Sequence, residues 1–478
     1  ISTSPVAGST IAFGNIVVNT ASNPTAVIVE NLGGADLTLA CSITGDNAGE
    51  FSLLACSTPV PATSFTTVSV TCDPQSLGAK QASLNLSSND ADESELSFSL
   101  SCLGIDPPSG DHIFEDGFED DIQLDTDGDR LPDSVETNTG IYIDANNTGT
   151  DPNKADTDND GISDGDEVLG TLAGLDLPAM GTNPLRKDLL LEYDWFDDSL
   201  DCGAHSHRPT ANSIALTTTA FSTSPVINPG ITDGVNLISD YGQGGVFTGG
   251  NLINDADGVI ASGVSGPDYL GYKATNFAAN RNGYFHYVLL PHRYNLDSSS
   301  SGQAEIYGDD LIVSLYCANS DSNVANTIVH EVGHNLNLRH GGDENCNYKP
   351  NYNSVMNYKY QFSGIDNNCT PSGDGVLSLS TGSRIDLNEN NLNENNGTCG
   401  PGFPVDWNGN STLESSVVFD VNSSGNSTCG GTLTTLYDFD DWGNLNFSGI
   451  GDGDGAPVVP LEIITEQPVP AEYLNRVD

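Results

Sequence analysis

His330-Glu331-Val332-Gly333-His334-Asn335-Leu336-Asn337-Leu338-Arg339-His340-Gly341-Gly342 is the stretch on which the reading of this chain turns. Residues four apart on a helix share a face, so a helix through its first half brings His330 and His334 together. Two imidazoles on one face can grip a single zinc ion, and Glu331 beside them can take a proton from a water on that ion. His340 supplies a third nitrogen if the helix ends and the chain turns back. Three protein ligands leave one coordination position open, the arrangement of a catalytic rather than a structural zinc.

Downstream stands Ser354-Val355-Met356-Asn357-Tyr358, around one of only 2 methionines in the chain. Together the two stretches resemble the long zinc motif and the Met-turn of the metzincin metallopeptidases, whose pattern is H-E-x-x-H-x-x-G-x-x-H. His330, Glu331, His334 and His340 match it; Asn337 stands where the family has Gly. Asn is the non-Gly residue that best tolerates the left-handed backbone such a turn needs. The resemblance implies a zinc endopeptidase acting on a polypeptide, with Glu331 as general base. It also implies Met356 as an apolar floor beneath the metal and Tyr358 as a hydroxyl that ligates zinc or stabilises the tetrahedral intermediate. In that family an edge strand just before the zinc helix pairs with extended substrate, and Gly308 to Leu315 reads either as that strand or as an ordinary buried one.

The 14 Lys+Arg against 66 Asp+Glu give a formal net charge of -52, a field that repels nucleic-acid phosphate and anionic membrane surfaces alike. Some of these carboxylates read as calcium ligands, and the rest as a charged surface that stays soluble in salt. The 10 cysteines include no C-x-x-C pair and suggest disulfides in a secreted chain. The sequence starts at Ile1 with no leader, which reads as a mature product whose signal peptide has been removed, and no apolar run is long enough to insert in a bilayer.

The predicted fold class is multidomain: an N-terminal all-β immunoglobulin-like sandwich, a calcium-loop linker and an α+β metzincin-like catalytic domain. Residues 1–105 alternate short Val/Ile/Thr/Leu runs with turn signals at Asn31-Leu32-Gly33-Gly34, Asp73-Pro74 and Ser88-Asn89-Asp90. Ile11-Ala12-Phe13-Gly14, then Val27-Ile28-Val29-Glu30-Asn31-Leu32-Gly33, then Phe98-Ser99-Leu100-Ser101-Cys102 resemble bacterial immunoglobulin-like modules of the choice-of-anchor type. Such a module implies a spacer, or a contact with a cell surface or matrix. Of three possible connectivities for Cys41, Cys56, Cys72 and Cys102, we expect Cys56–Cys72 and Cys41–Cys102. Residues 106–124 form a Pro/Gly/acidic linker.

Residues 125–183 carry two calcium-type loops of the twelve-position kind. In the second, Asp156, Asp158, Asp160, Asp164 and Glu167 offer carboxylates and Ile162 its backbone oxygen, with Gly161 at the sharp turn. In the first, Asp125, Asp127, Asp129, Asp133 and Glu136 do the same with Leu131, but Arg130 stands in place of the Gly. The loops resemble thrombospondin type-3 repeats and would stiffen the connection to the next domain once calcium orders them.

Residues 184–478 form the expected peptidase domain. Asp188 to Trp195 reads as its first buried strand, Pro209 to Phe221 as a helix, Tyr284 to Leu290 as a strand, and 323–338 as the helix bearing the histidines. His205 and His207 read as surface or hydrogen-bonding residues, with a second metal as the alternative; His286 and His292 read as structural. The rival to the peptidase is a calcium-dependent cell-surface or matrix adhesion protein whose protease-like domain is inactive or only self-processing.

Overall fold

A computed structural model describes residues 1–22, 24–56, 58–91, 93–105, 124–255, 257–294, 299–423, 428–447, 462–466, 468 and 470. The chain divides into two compact units, Ile1–Asp120 and Asp121–Asp478. The expected linker, 106–124, lies outside the described residues except for Leu124.

In the first unit, two four-stranded sheets share one core. One runs in the order β1 (Ser2–Ser4), β3 (Thr25–Glu30), β6 (Phe65–Cys72), β5 (Phe51–Ala55). The other runs β2 (Thr10–Val17), β8 (Glu95–Ile105), β7 (Gly78–Ser88), β4 (Leu39–Thr44). Side chains alternate across each strand, so Val27 and Val29, Val68 and Val70, Leu84 and Leu86, and Phe98 and Leu100 all point into the shared core. The disulfides correct the expected pairing: Cys41 joins Cys56 and Cys72 joins Cys102, each linking one sheet to the other. The register explains why. Phe51 pairs with Cys72 and Ala55 with Ser69. Cys56 therefore sits about four residues from Cys72 along the ladder, roughly 13 Å at about 3.3 Å per residue.

The second unit is built on a mixed sheet. Its central strand β9 (Asp188–Asp198) is buried from Asp188 to Phe196 without a break, as befits a strand covered on both faces. Along one edge of β9 lie, in turn, β11 (Asn236–Asp240) and β12 (Leu252–Ile253), both parallel to it, while β10 (His205–Ser206) pairs antiparallel with its last two residues. Beyond its other edge come β14 (Phe285–Leu290) and β17 (Asp310–Val313), parallel to β9, then β16 (Gly302–Ile306), antiparallel to β17, and β20 (Glu462–Thr465), antiparallel to β16. Short pairs β13 (Val259–Ile260) with β15 (Arg293–Tyr294), and β18 (Leu387–Asn388) with β19 (Thr435–Leu436), stand apart.

Leu189, Leu191 and Tyr193 of β9 face a core shared with α3 (Ala211–Ser222) and α5 (Asp321–Asn335). Leu190 and Phe196 face the opposite core, with Tyr269 of α4 (Pro267–Asn276) and with Leu177 of α2 (Leu177–Met180). Ile162, from the second acidic loop just before α1 (Asp164–Leu169), packs in that same core. Residues 125–183 thus belong to one unit with the chain that follows them.

The strand read from Gly308 to Leu315 is β17, and of its two readings the edge strand is corrected and the buried strand found: β14 and β16 flank it, and β16 carries β20. All 10 cysteines are paired, the remaining bridges being Cys202–Cys317, Cys346–Cys429 and Cys369–Cys399. Such dense cross-linking is typical of an oxidising compartment. Among the described residues, no helix is long and apolar enough to cross a membrane.

Candidate metal centre

Helix α5 starts where the Ser320 side chain accepts a hydrogen bond from Asn323 N, and Val324, Ile328, Val329 and Val332 seat it in the core. Its last turn ends at Asn337, whose φ of 74° reverses the chain. Asn337 N donates to His334 O at 2.9 Å and Leu338 N to Gly333 O at 2.8 Å, closing the helix end. This is the left-handed turn expected of that position, and it delivers His340 to the other two histidines. Ring centroids lie 4.9 Å apart for His330–His334 and His334–His340, and 5.4 Å for His330–His340.

Each helix imidazole is oriented by a backbone carbonyl. His330 Nδ1 donates to Val355 O at 2.7 Å and His334 Nδ1 to Leu338 O at 2.7 Å. The proton is thereby fixed on Nδ1, leaving the Nε2 lone pair free to ligate. Val355 belongs to the Met-turn, where Met356 N donates to Ser354 Oγ at 3.1 Å and Asn357 N to Ser354 O at 3.0 Å. Met356 is fully buried, and a Cβ on Gly333 would collide with its sulfur, so the glycine inside the helix is what lets the methionine pack under the histidines. Tyr358 lies over the same group, its ring centroid 4.1 Å from that of His340. Burial and the Glu466 carboxylate push the Tyr358 hydroxyl well above its ordinary range.

Glu331 is fully buried, and neither of its oxygens has a hydrogen-bond partner. Burial, then the charge of Glu466, raises its pKa well above the ordinary carboxylate value. Gly302 on β16 makes room for it: a Cβ there would meet Glu331 Oε1.

The three Nε2 atoms converge on one carboxylate, that of Glu466, the residue after β20. Glu466 Oε2 lies 2.8 Å from His330 Nε2, and Oε1 lies 3.2 Å from His334 Nε2 and 3.1 Å from His340 Nε2. Burial alone would raise the Glu466 pKa, but His330 and His340 outweigh it and hold it well below the usual range. Burial pushes His334 down to about 4, so its ring is neutral near pH 7. Three converging imidazole nitrogens, two of them on rings whose far nitrogen is held by a backbone carbonyl, form a donor set that fits zinc. His330, Glu331, His334, His340, Met356 and Tyr358 are all brought together. Glu466, 132 positions from His334, and Gly302 were missed by sequence reasoning, and no local pattern marks either.

The acidic loops fold as an interlocked pair. Asp125, Asp127 and Asp129 form one group and Asp156, Asp158 and Asp160 another, while Asp129 and Glu136 meet Asp164 across the loops; in each group one oxygen per residue lies within 4.8 Å of the others. Arg130 takes a φ of 85° and Gly161 one of 96°, so the arginine holds the glycine's conformation. Its guanidinium is anchored on Asp166 and on Gly170 O at 2.8 Å. Asp133 is turned back onto Thr126 N and Oγ1 (2.8 and 2.7 Å), and Asp164 onto Thr157 N and Oγ1 (2.9 and 2.6 Å). Leu131 and Ile162 bury their side chains, so what they can offer a cation is backbone oxygen. Both oxygens of Asp158 and of Glu167 are buried without partners. Burial, followed by neighbouring carboxylates, raises Asp158 to about 8 and Glu136 to about 7. Burial raises Asp164 and Asp188 to about 7 despite hydrogen bonds that favour their charged forms. Asp188, at the start of β9, extends the second loop's acidic group, its backbone N donating to Asp160 Oδ2 at 2.6 Å. Such crowding of orphaned carboxylates fits hard cations with oxygen ligands, calcium foremost.

His207 is buried rather than on the surface, which corrects one of the two readings given to it.

No protein-family model matches the chain, and no curated protein matches it. Similar solved structures include the PapD-like domain of human CEP192 (18% identity, 21% of this chain and 84% of that one, TM-score 0.17). The VesB protease of Vibrio cholerae matches at 18% identity over 20% of this chain and 30% of its own, with TM-score 0.17. The chain spans less than a third of that protease, and likenesses at this level carry no functional argument.

Proposed function

We propose that this chain is a secreted, calcium-stabilised zinc endopeptidase, in a form whose own C-terminal strand holds the substrate's place. The observation that carries the reading is the convergence of three imidazole Nε2 atoms beside the unpaired Glu331 carboxylate. β20 supports a peptide as substrate: an extended segment laid antiparallel on β16 leads directly to the three histidines.

His330, His334 and His340 would hold the metal, which when bound supplies a Lewis acid that acidifies water and polarises a carbonyl. The chain's own groups do the rest. The β16 backbone aligns an extended peptide. Glu331 accepts the proton of the attacking water and returns it to the leaving amine. Tyr358 is placed to donate its hydroxyl proton to a developing oxyanion. The acidic loops, with Asp188 among their ligands, would bind calcium and hold the segment before β9 in place. The N-terminal module would serve as spacer or as contact with a cell surface or matrix.

Glu331→Gln should retain zinc and lose cleavage of unfolded casein by about 10²–10⁴-fold, the usual contribution of a general acid–base. If neither the wild type nor a Glu466→Ala variant cleaves anything at saturating zinc and calcium, the adhesion reading replaces this one.

A further inference from the structure

We propose that Asp198, His205, His207 and His292 form a second zinc site, structural rather than catalytic. The topology gathers them. Asp198 ends β9, and β10 turns back so that His205 pairs with Asp198, with His207 two residues on. β14 runs parallel to β9 with Leu290 beside Trp195, so the chain leaving β14 brings His292 to the same place. One ligand atom from each of the four lies within 4.8 Å of the rest. His207 Nε2 is 2.8 Å and His205 Nε2 3.6 Å from Asp198 Oδ2, and His292 Nδ1 is 3.3 Å from Asp198 Oδ1.

The outward nitrogens decide what lies between the rings. His205 Nδ1 faces Gly203 O at 2.7 Å, a carbonyl that can only accept, so the His205 proton sits there and Nε2 carries a lone pair. His292 Nε2 faces Asp201 Oδ2 at 3.1 Å, a carboxylate also bonded by Arg293, so the His292 proton sits on Nε2 and Nδ1 carries a lone pair. These two lone-pair nitrogens are 3.3 Å apart. Two lone pairs held so close repel one another unless a cation stands between them. In a tetrahedron with zinc–nitrogen bonds of about 2.0–2.1 Å, neighbouring nitrogens are about 3.3 Å apart. With the Asp198 carboxylate the set is three nitrogens and one oxygen, each outer nitrogen of His205 and His292 braced by an acceptor. Four protein ligands close the coordination sphere, the mark of a structural site. Its effect would be to clamp the 198–207 turn onto the end of β14, next to the Cys202–Cys317 bridge, whose Cys202 sulfur lies 3.7 Å from His205.

The test is zinc content of the full-length protein, refolded with zinc, dialysed, and kept in excess calcium to fill the acidic loops. Wild type should hold two zinc ions per chain, His334→Ala and His292→Ala one each, and the double variant none. His334→Ala keeping one ion supports the second site even if His292→Ala fails to fold. Its falling to zero overturns the proposal and leaves a shared proton between the rings as the explanation. One ion in the wild type, lost in His292→Ala and kept in His334→Ala, would support this site while sinking the peptidase centre, so the two claims fail separately.

Discussion

A Cβ on Gly302 would strike Glu331 Oε1, so a glycine on β16 decides where the proposed base can sit. Gly302→Ala should therefore leave zinc content unchanged and lower casein cleavage by about 10²-fold, the cost of misplacing a reacting group by about an ångström. Unchanged cleavage would show that Glu331 is not constrained from β16. At this scale the sequence was readable wherever a short-range rule applied. The i, i+4 spacing placed His330 and His334, and the left-handed tolerance of asparagine accounted for Asn337, whose φ is 74°. It was unreadable where a partner came from far along the chain. Glu466 meets His334 across 132 positions, and Gly302 meets Glu331 through a strand pairing that no local pattern encodes.

Among elements, the acidic loops carry a pH dependence of known sign. Glu136 and Asp164 are raised to about 7 and Asp158 to about 8 in the fold without calcium, against about 4 in an unfolded chain. A raised carboxylate contributes stability below its unfolded pKa and loses it as pH rises through the folded value. The calcium-free protein should thus lose stability between about pH 4 and pH 8, where calcium compensates by neutralising the same groups. The rise in Tm on adding calcium, measured by scanning calorimetry, should be larger at about pH 8 than at about pH 5; equal rises would contradict the assignment. β20 gives the second test at this scale. Glu466 meets all three imidazoles, and losing even one charge-assisted contact of about 1.5 kcal/mol shifts an equilibrium roughly tenfold, which sets the lower bound. Glu466→Ala should accordingly raise casein cleavage by at least about tenfold, and an unchanged rate would mean that β20 does not hold the substrate's place. The buried strands β9, β14 and β17 and the helix α5 were legible from their apolar runs and periodicity. Strand order was not: Gly302 to Ile306 alternates apolar and polar residues yet is buried along its whole length between β17 and β20, so the pattern does not tell which neighbours it takes. The disulfides of the first unit were likewise misassigned, because pairing follows which strands face each other across the two sheets, and that is set by the ladder register.

Over the whole molecule, a formal charge of -52 sets carboxylates against one another, and the folded chain gathers many of them into loops suited to divalent cations. Two disulfides lie within the first unit and three within the second, cross-linking typical of an oxidising compartment. Both features bear on the central claim, since filled loops and bridges would keep the chain ordered around three imidazoles. That claim is tested most directly by a crystal of the full chain grown with zinc and calcium, with diffraction recorded on both sides of the zinc absorption edge. The expected result is an anomalous peak about 2.0–2.1 Å from Nε2 of His330, His334 and His340. A map with no peak among those three nitrogens, at full zinc saturation, would contradict it.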